Sequence, residues 1–274
     1  MKYTVITTFN QKGLQIYGQK MIDTFEQFWP DSVDLVVYAE NCAPVTRKPN
    51  VKVLNIIECS KSLRRFTKRH KNNPKAHGNP FPEKNPDAWT KKTFRWEAVR
   101  FSYKVFATGH AAKNFDTDWL IWLDGDTHTH TNVSEAFLSC VCPNNSFASY
   151  LGRGGKYHSE CGWVAYNCRD ANFHPFVDRF VGMYDSDEIF NYREWHDSFI
   201  WDVARNEFTA KGVNFYNLNP SPDTKGLAGH PFINSDLGLV MDHKKGERKH
   251  RGHSNAREVV THKDHPYWQR IVQQ

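Results

Sequence analysis

Residues 118–127 read DWLIWLDGDT, and the fold turns on how this stretch is read. Trp119 to Leu123 is an unbroken apolar run with no alternation. It is too short for a free-standing helix and suits a strand buried on both faces of a parallel sheet. The strand stops at Asp124-Gly125-Asp126, where a glycine between two acids lets the backbone bend and both carboxylates reach one site. Open α/β sheets bind ligands at that carboxyl end. Two ionised carboxylates so close repel each other unless a proton or cation sits between them, and a divalent metal is the simplest resolution. Asp-Gly is also a common turn pair, and the tripeptide by itself reads first as a plain turn. Its place directly after an apolar strand favours the site. Mg²⁺ and Mn²⁺ take oxygen ligands and keep water or substrate phosphate in their shells, which points to an open site holding a diphosphate.

Upstream, Tyr3 to Phe9 is β-rich, and Ile16, Met21, Ile22, Phe25, Phe28 and Trp29 recur at helical spacing up to Pro30. Strands at Val33 to Tyr38 and Val51 to Ile57 complete a βαβ unit, hence a parallel sheet with right-handed crossover. Thr7, Thr8, Phe9 and Asn10 end the first strand and are candidate nucleotide contacts. No GxGxxG follows them, which argues against a dinucleotide fold. From Cys59 to Thr93 the pattern breaks: the segment is basic and carries Pro74, Pro80, Pro82 and Pro86, with Pro49 just before it. A structureless stretch of this length is an inserted loop over the active site or a disordered tether.

Downstream of that segment, Phe94 to Phe115 resumes helical spacing, with Lys104 either directed at a diphosphate or exposed on its helix. After DGDT, His128 and His130 either touch the site or merely alternate along a strand edge. Asn132 with Glu135 three residues on predicts a helix cap. Further strands are expected at Ser146 to Leu151 and Gly162 to Tyr166, joined through Arg153-Gly154-Gly155-Lys156. Helices are expected over Phe173 to Tyr184 and Trp195 to Phe208, with one more strand at Val213 to Leu218. Trp163 and Trp195 read as sugar-stacking rings or as core.

The 274 residues are 39% hydrophobic and 14% aromatic, enough for one large α/β domain and too apolar for a disordered chain. No run approaches the roughly 20 apolar residues of a membrane span. The opening MKYTVITTFN reads as a first strand and not as an export signal, so a cytoplasmic chain is expected. None of the six cysteines forms a CxxC pair, which predicts free, mostly buried thiols and no structural zinc of that kind. The net charge of +6 is concentrated in Lys61 to Lys92 and Lys244 to Arg251, implying an anionic partner: nucleotide phosphates, nucleic acid or an acidic glycan.

The second informative stretch is His243-Lys244-Lys245-Gly246-Glu247-Arg248-Lys249. Alone it reads as a solvated basic tail. Beside DGD it offers an imidazole for Mn²⁺, a glycine for close backbone approach and a lysine for phosphate.

A DxD at a strand end with a late HxxGxxK resembles the GT-A glycosyltransferases, particularly the glycogenin-like and bacterial lipooligosaccharide galactosyltransferases, whose tail reads HxxGxxKPW. The resemblance implies a single GT-A domain over 1–274: a mixed, mostly parallel α/β sheet flanked by helices, with a nucleotide-binding half (1–125), an acceptor-binding half (126–274) and an inserted basic loop (59–93). It implies Asp124, Asp126 and His243 as ligands of Mn²⁺ or Mg²⁺, and Asp124, Gly246 and Lys249 as contacts of a UDP-sugar diphosphate. His250 and Arg251 stand where the family has Pro-Trp. Glu160 to Asn167 is similar to the family's NxG strand, with Glu160 where asparagine is usual. Glu194-Trp195-His196-Asp197-Ser198 falls where the family has DQD. Asp197 is therefore a candidate catalytic carboxylate, or a helix N-terminal acid serving the dipole. Glu160 is the second candidate.

The chain also resembles proteins of tailed bacteriophages, which implies host cytoplasm and DNA as acceptor. Residues 61–75 and 244–251 would then grip a phosphate backbone while a hydroxymethylated cytosine leaves the stack. A surface glycan or lipooligosaccharide is the competing acceptor. A nucleotidyltransferase would also use paired aspartates but lacks its early Gly-rich loop here, and a non-catalytic nucleic-acid-binding protein leaves the carboxylate pair unexplained.

Overall fold

A computed structural model describes residues 1–84, 93–154 and 157–273. The strands are β1 Tyr3–Asn10, β2 Val33–Glu40, β3 Val51–Asn55, β4 Trp119–Leu123, β5 Thr127–Thr129, β6 Ala148–Leu151, β7 Glu160–Asn167, β8 Phe215–Asn217 and β9 Met241–His243. Among the described residues, seven of them form one sheet in the order β3-β2-β1-β4-β7-β6-β8. Pairing is parallel from β3 through β4, antiparallel on both sides of β7, and parallel again between β6 and β8. The sheet is thus mixed and mostly parallel, as expected. β5 and β9 form a separate two-stranded ribbon.

Alternating strand residues feed two cores. Ile6, Val36, Leu120 and Trp122 pack with the helices Lys61–Arg69, Ala98–Asn114, Phe173–Asp185 and Asp197–Ala210. Val5, Leu35, Trp119 and Ile121 pack on the other face with Gln19–Phe28, Glu135–Val141 and Pro266–Val272. Burial on both faces explains why β4 shows no alternation. The helix after β1 begins at Gln11, passes through a π-helical segment at Leu14–Gly18 and continues as Gln19–Phe28.

Several expectations need correction. The segment 59–93 is not a structureless loop: Lys61–Arg69 is a helix capped by Ser60, and Pro74–His77 is a 3₁₀ turn started by Pro74. Leu63 and Phe66 are fully buried, at about 1.5–3 kcal/mol each, which anchors an otherwise polar helix. Residues 85–92 of that segment lie outside the described residues, as do Gly155 and Lys156 of the expected connection to β7. Ser134, not Asn132, caps Glu135–Val141, its hydroxyl accepting from the Phe137 amide. All six cysteines are free, but only Cys142 and Cys161 are buried; Cys140 is exposed and the others are half-buried. Trp163 and Trp195 are core residues. No described helix is long and apolar enough to cross a membrane.

Several arginines of the basic clusters are occupied within the fold. Arg65 pairs with Asp185, Arg69 with Asp187, and Arg248 with Glu258. Arg64 donates to the carbonyls of Ile57 and Glu58.

His130 stacks on Tyr267 with ring centroids 3.8 Å apart, and burial, helped by His265, pushes its imidazole down to about 3. It is neutral when folded, whereas an unfolded chain protonates it below about 6.5. The stability this supplies is therefore present at neutral pH and lost as pH falls. His130→Phe keeps the stack and takes up no proton. Its melting temperature relative to wild type should rise between pH 6.5 and 4.5, and a pH-independent difference would contradict this.

Candidate active site at the end of β4

The turn after β4 is closed by the Thr127 amide donating to the Asp124 carbonyl at 3.0 Å, while the Asp124 amide donates to Gly162 of β7 at 2.9 Å. A Cβ on Gly125 would come 2.9 Å from the Phe9 ring and 3.3 Å from the Thr8 carbonyl, so the end of β1 is packed under this turn. The ribbon then supplies what the turn lacks. Thr127 pairs with His243, and the Lys244 amide donates to the Asp126 carbonyl at 3.0 Å, which draws the C-terminal stretch against the two aspartates.

His243 Nε2 lies 3.1 Å from Asp126 Oδ1 and 3.5 Å from Asp124 Oδ2. Its Nδ1 donates to Glu160 Oε1 at 2.9 Å. A carboxylate behind a histidine fixes the ring and its tautomer and turns the other nitrogen toward a metal. Asp124, Asp126 and His243 each present a ligand atom within 4.8 Å of the others, a donor set that fits Mn²⁺ or Mg²⁺ with an imidazole addition. Asp126 and His243 side chains are only 9% and 4% exposed, against 32% for Asp124, so the open side of the trio is at Asp124.

Burial alone would disfavour the His243 imidazolium, yet the carboxylates of Asp126, Asp124 and Glu160 outweigh it and hold its pKa well above normal. Burial likewise opposes ionisation of Asp124 and Asp126, but Lys104 and His243 for the first, and His243 and Lys249 for the second, hold both low. A proton on His243 thus occupies the place suited to a cation.

Lys104 is half-buried, not exposed. Its ammonium is 2.7 Å from Asp197 Oδ2, 3.3 Å from Asp124 Oδ1 and 4.7 Å from the Trp122 ring centroid, and it donates to the Cys161 carbonyl. Burial would lower its pKa, and Asp124 and Asp197 raise it instead. Asp197 opens the helix Asp197–Ala210 and is joined to Asp124 through this one lysine.

Lys249 reaches Asp126 Oδ2 at 2.9 Å, over the Tyr17 ring. Gly246 turns the chain with φ +57°, a conformation that favours glycine. At the end of β1, Thr8 donates to the Tyr38 carbonyl and to Glu40, Asn10 caps the following helix by accepting from Gly13, and the Thr7 hydroxyl is buried without a protein partner. Glu160 accepts from His243, Lys245 and Arg153, which makes it the support of the imidazole. Burial pushes Lys245 down to about 8 against the pull of Glu160. Sequence reasoning missed Lys245, Arg153 and Gly162 here; only a three-dimensional neighbour relation brings them in. His128 is buried on β5, its Nε2 meeting the Tyr267 hydroxyl at 3.1 Å.

No protein family matches the chain, and no curated protein matches it. Solved structures do. The WbbM bifunctional glycosyltransferase superposes with a TM-score of 0.51 at 11% identity, covering 99% of this chain and 51% of that one. The chain therefore shares its α/β fold with WbbM and spans about half of that chain's length. Weaker likenesses are mouse xyloside xylosyltransferase 1 (TM-score 0.47, 10% identity, 80% of this chain and 86% of that one) and a glycosyltransferase involved in glycosylation of the major capsid of PBCV-1 (0.45, 12%, 92% and 98%).

Gly162 tests the geometry directly. A Cβ there would lie 2.5 Å from His243 Cε1 and 2.6 Å from Nδ1, inside contact distance. Gly162→Ala should displace the ring and weaken Mn²⁺ binding at least about tenfold, with circular dichroism unchanged. Undiminished Mn²⁺ affinity would contradict the placement of His243.

Proposed function

We propose that this chain is a metal-dependent glycosyltransferase that moves a sugar from a UDP-sugar to a hydroxyl acceptor. The observation that carries the reading is the meeting of Asp124, Asp126 and His243 at the carboxyl end of β4, with Glu160 orienting the imidazole. The fold shared with WbbM supports it. In this reading 1–125 is the nucleotide-binding half and 126–274 the acceptor-binding half.

Asp124, Asp126 and His243 would hold Mn²⁺ or Mg²⁺, which as a Lewis acid neutralises charge developing on the departing UDP. The chain's own groups do the rest. Lys249, which pairs with Asp126, would contact the diphosphate, and the open space at Gly246 would admit it. Thr7 to Asn10 underlie the DGD turn; Thr7 and Phe9 are buried there, so half-buried Thr8 and exposed Asn10 would be the ones to meet a nucleotide. Lys104 holds Asp197 at a fixed distance from the metal-binding carboxylates. Asp197 acts on the acceptor side, as general base if the reaction inverts and as stabiliser of an oxocarbenium-like sugar if it retains. Glu160 is assigned to positioning His243 and not to proton transfer, since its oxygens are occupied by His243, Lys245 and Arg153.

The acceptor reading favoured by the sequence is hydroxymethylated cytosine in phage DNA, with host cytoplasm as the location. Exposed Lys61, Lys68 and Lys71 support it, although the arginines beside them are already paired. A surface glycan is the alternative.

The test is Mn²⁺-dependent UDP-sugar turnover with hydroxymethylated DNA and glycan acceptors in parallel. Wild type should turn over donor, and Asp126→Asn should lose about a hundredfold or more together with UDP–Mn²⁺ affinity in calorimetry. Equal UDP–Mn²⁺ binding by the variant would contradict the metal assignment. Absence of DNA binding at low salt removes the DNA acceptor.

A further inference from the structure

Outside the Asp124 site lies a second trio of metal-ligating side chains, His158, Glu194 and His196. We propose that it is a second metal site, built for a borderline divalent transition metal such as Zn²⁺. Both imidazoles address one carboxylate oxygen: Glu194 Oε2 is 3.0 Å from His196 Nε2 and 3.3 Å from His158 Nε2. Ligands of a tetrahedral ion with bonds of about 2.1 Å lie roughly 3.4 Å apart, so the trio stands near coordination spacing. Two histidines and one glutamate are a donor set zinc takes readily.

The surroundings fit. Glu194 and His196 are buried, and Phe94, Phe101 and Phe199 shield the imidazoles. His158 is half-buried and lines a cavity of about 590 Å³, which leaves the trio an entry path. The other glutamate oxygen, Oε1, is 3.6 Å from Arg95 and 3.9 Å from Arg193. Those guanidiniums turn Oε2 toward the histidines. They also oppose a bound cation, an effect reduced by solvent because Arg193 is 68% exposed. Burial opposes ionisation of Glu194, yet His196, His158 and Arg95 hold it down to about 2.

The site has a structural consequence. His158 is two residues before Glu160 at the start of β7, and His196 immediately precedes Asp197 at the start of its helix. A cation here clamps the two segments that deliver Glu160 to His243 and Asp197 to Lys104. The plain alternative is a hydrogen-bonded Glu–His trio that takes no metal.

The experiment uses the full chain, metal-stripped, carrying Asp126→Asn so that the first site is weakened. Zn²⁺ is titrated by calorimetry and Co²⁺ by its visible ligand-field absorption. One equivalent that depends on His158 is expected: adding His158→Asn, at a half-exposed position, should cost at least about tenfold in Zn²⁺ affinity and abolish the Co²⁺ band. Glu194→Gln, which keeps the shape of the side chain, should do the same without changing the metal-free circular dichroism. No Zn²⁺ uptake by the Asp126→Asn chain would overturn the proposal. So would uptake that both further substitutions leave unchanged. Neither result bears on UDP–Mn²⁺ binding by wild type, so the two metal assignments fail independently.

Discussion

Asp124 and Asp126 project two carboxylates into one small volume at the end of β4, and the surrounding structure is arranged to make that tolerable. Like charges at this separation in a partly buried site cannot both ionise without compensation. Compensation arrives from far along the chain, because the β5–β9 ribbon sets His243 opposite Thr127. Behind the imidazole stands Glu160, and behind Glu160 stand Lys245 and Arg153. Each layer fixes the one before it, so the ring is held in place by charge on both sides.

This network also joins the Asp124–Asp126–His243 trio to Asp197. Four carboxylates, Asp124, Asp126, Glu160 and Asp197, face four fixed cations, Lys104, Lys245, Lys249 and Arg153. The imidazolium of His243 is the surplus charge. Exchanging its proton for a divalent cation would leave the cluster net positive, a balance that would suit an anionic ligand and that an isolated acidic pair does not provide. Lys104 sits at the centre of the arrangement, since removing it would strand the buried carboxylate of Asp197 and the half-buried one of Asp124 at once.

Much of this is legible in the sequence. The run Trp119 to Leu123 has to be buried on both faces, and DGD and HKKGERK are local patterns whose chemistry shows in the residue types. What the sequence hides is nonlocal or averaged out. The reversed direction of β7 leaves no trace, because a strand covered on both faces reads the same in either orientation. The helix Lys61–Arg69 is masked by having two apolar residues, Leu63 and Phe66, among cations, and by the prolines that follow. The cation clusters looked like a surface for an anionic partner; folding turns Arg65, Arg69, Lys245, Arg248 and Lys249 onto the protein's own carboxylates. Glu160 reads from the sequence as a candidate carboxylate, but its place behind His243 depends on an 83-residue separation that spacing does not encode.

The central claim is that one cation is gripped jointly by the acidic turn and the distant imidazole. Anomalous diffraction at the manganese edge, from crystals soaked with Mn²⁺ and UDP, tests this most directly. The account predicts a peak bounded by Asp124 Oδ2, Asp126 Oδ1 and His243 Nε2, with the UDP diphosphate on its open side. A manganese peak elsewhere, with His243 still bonded to Asp126, would contradict it.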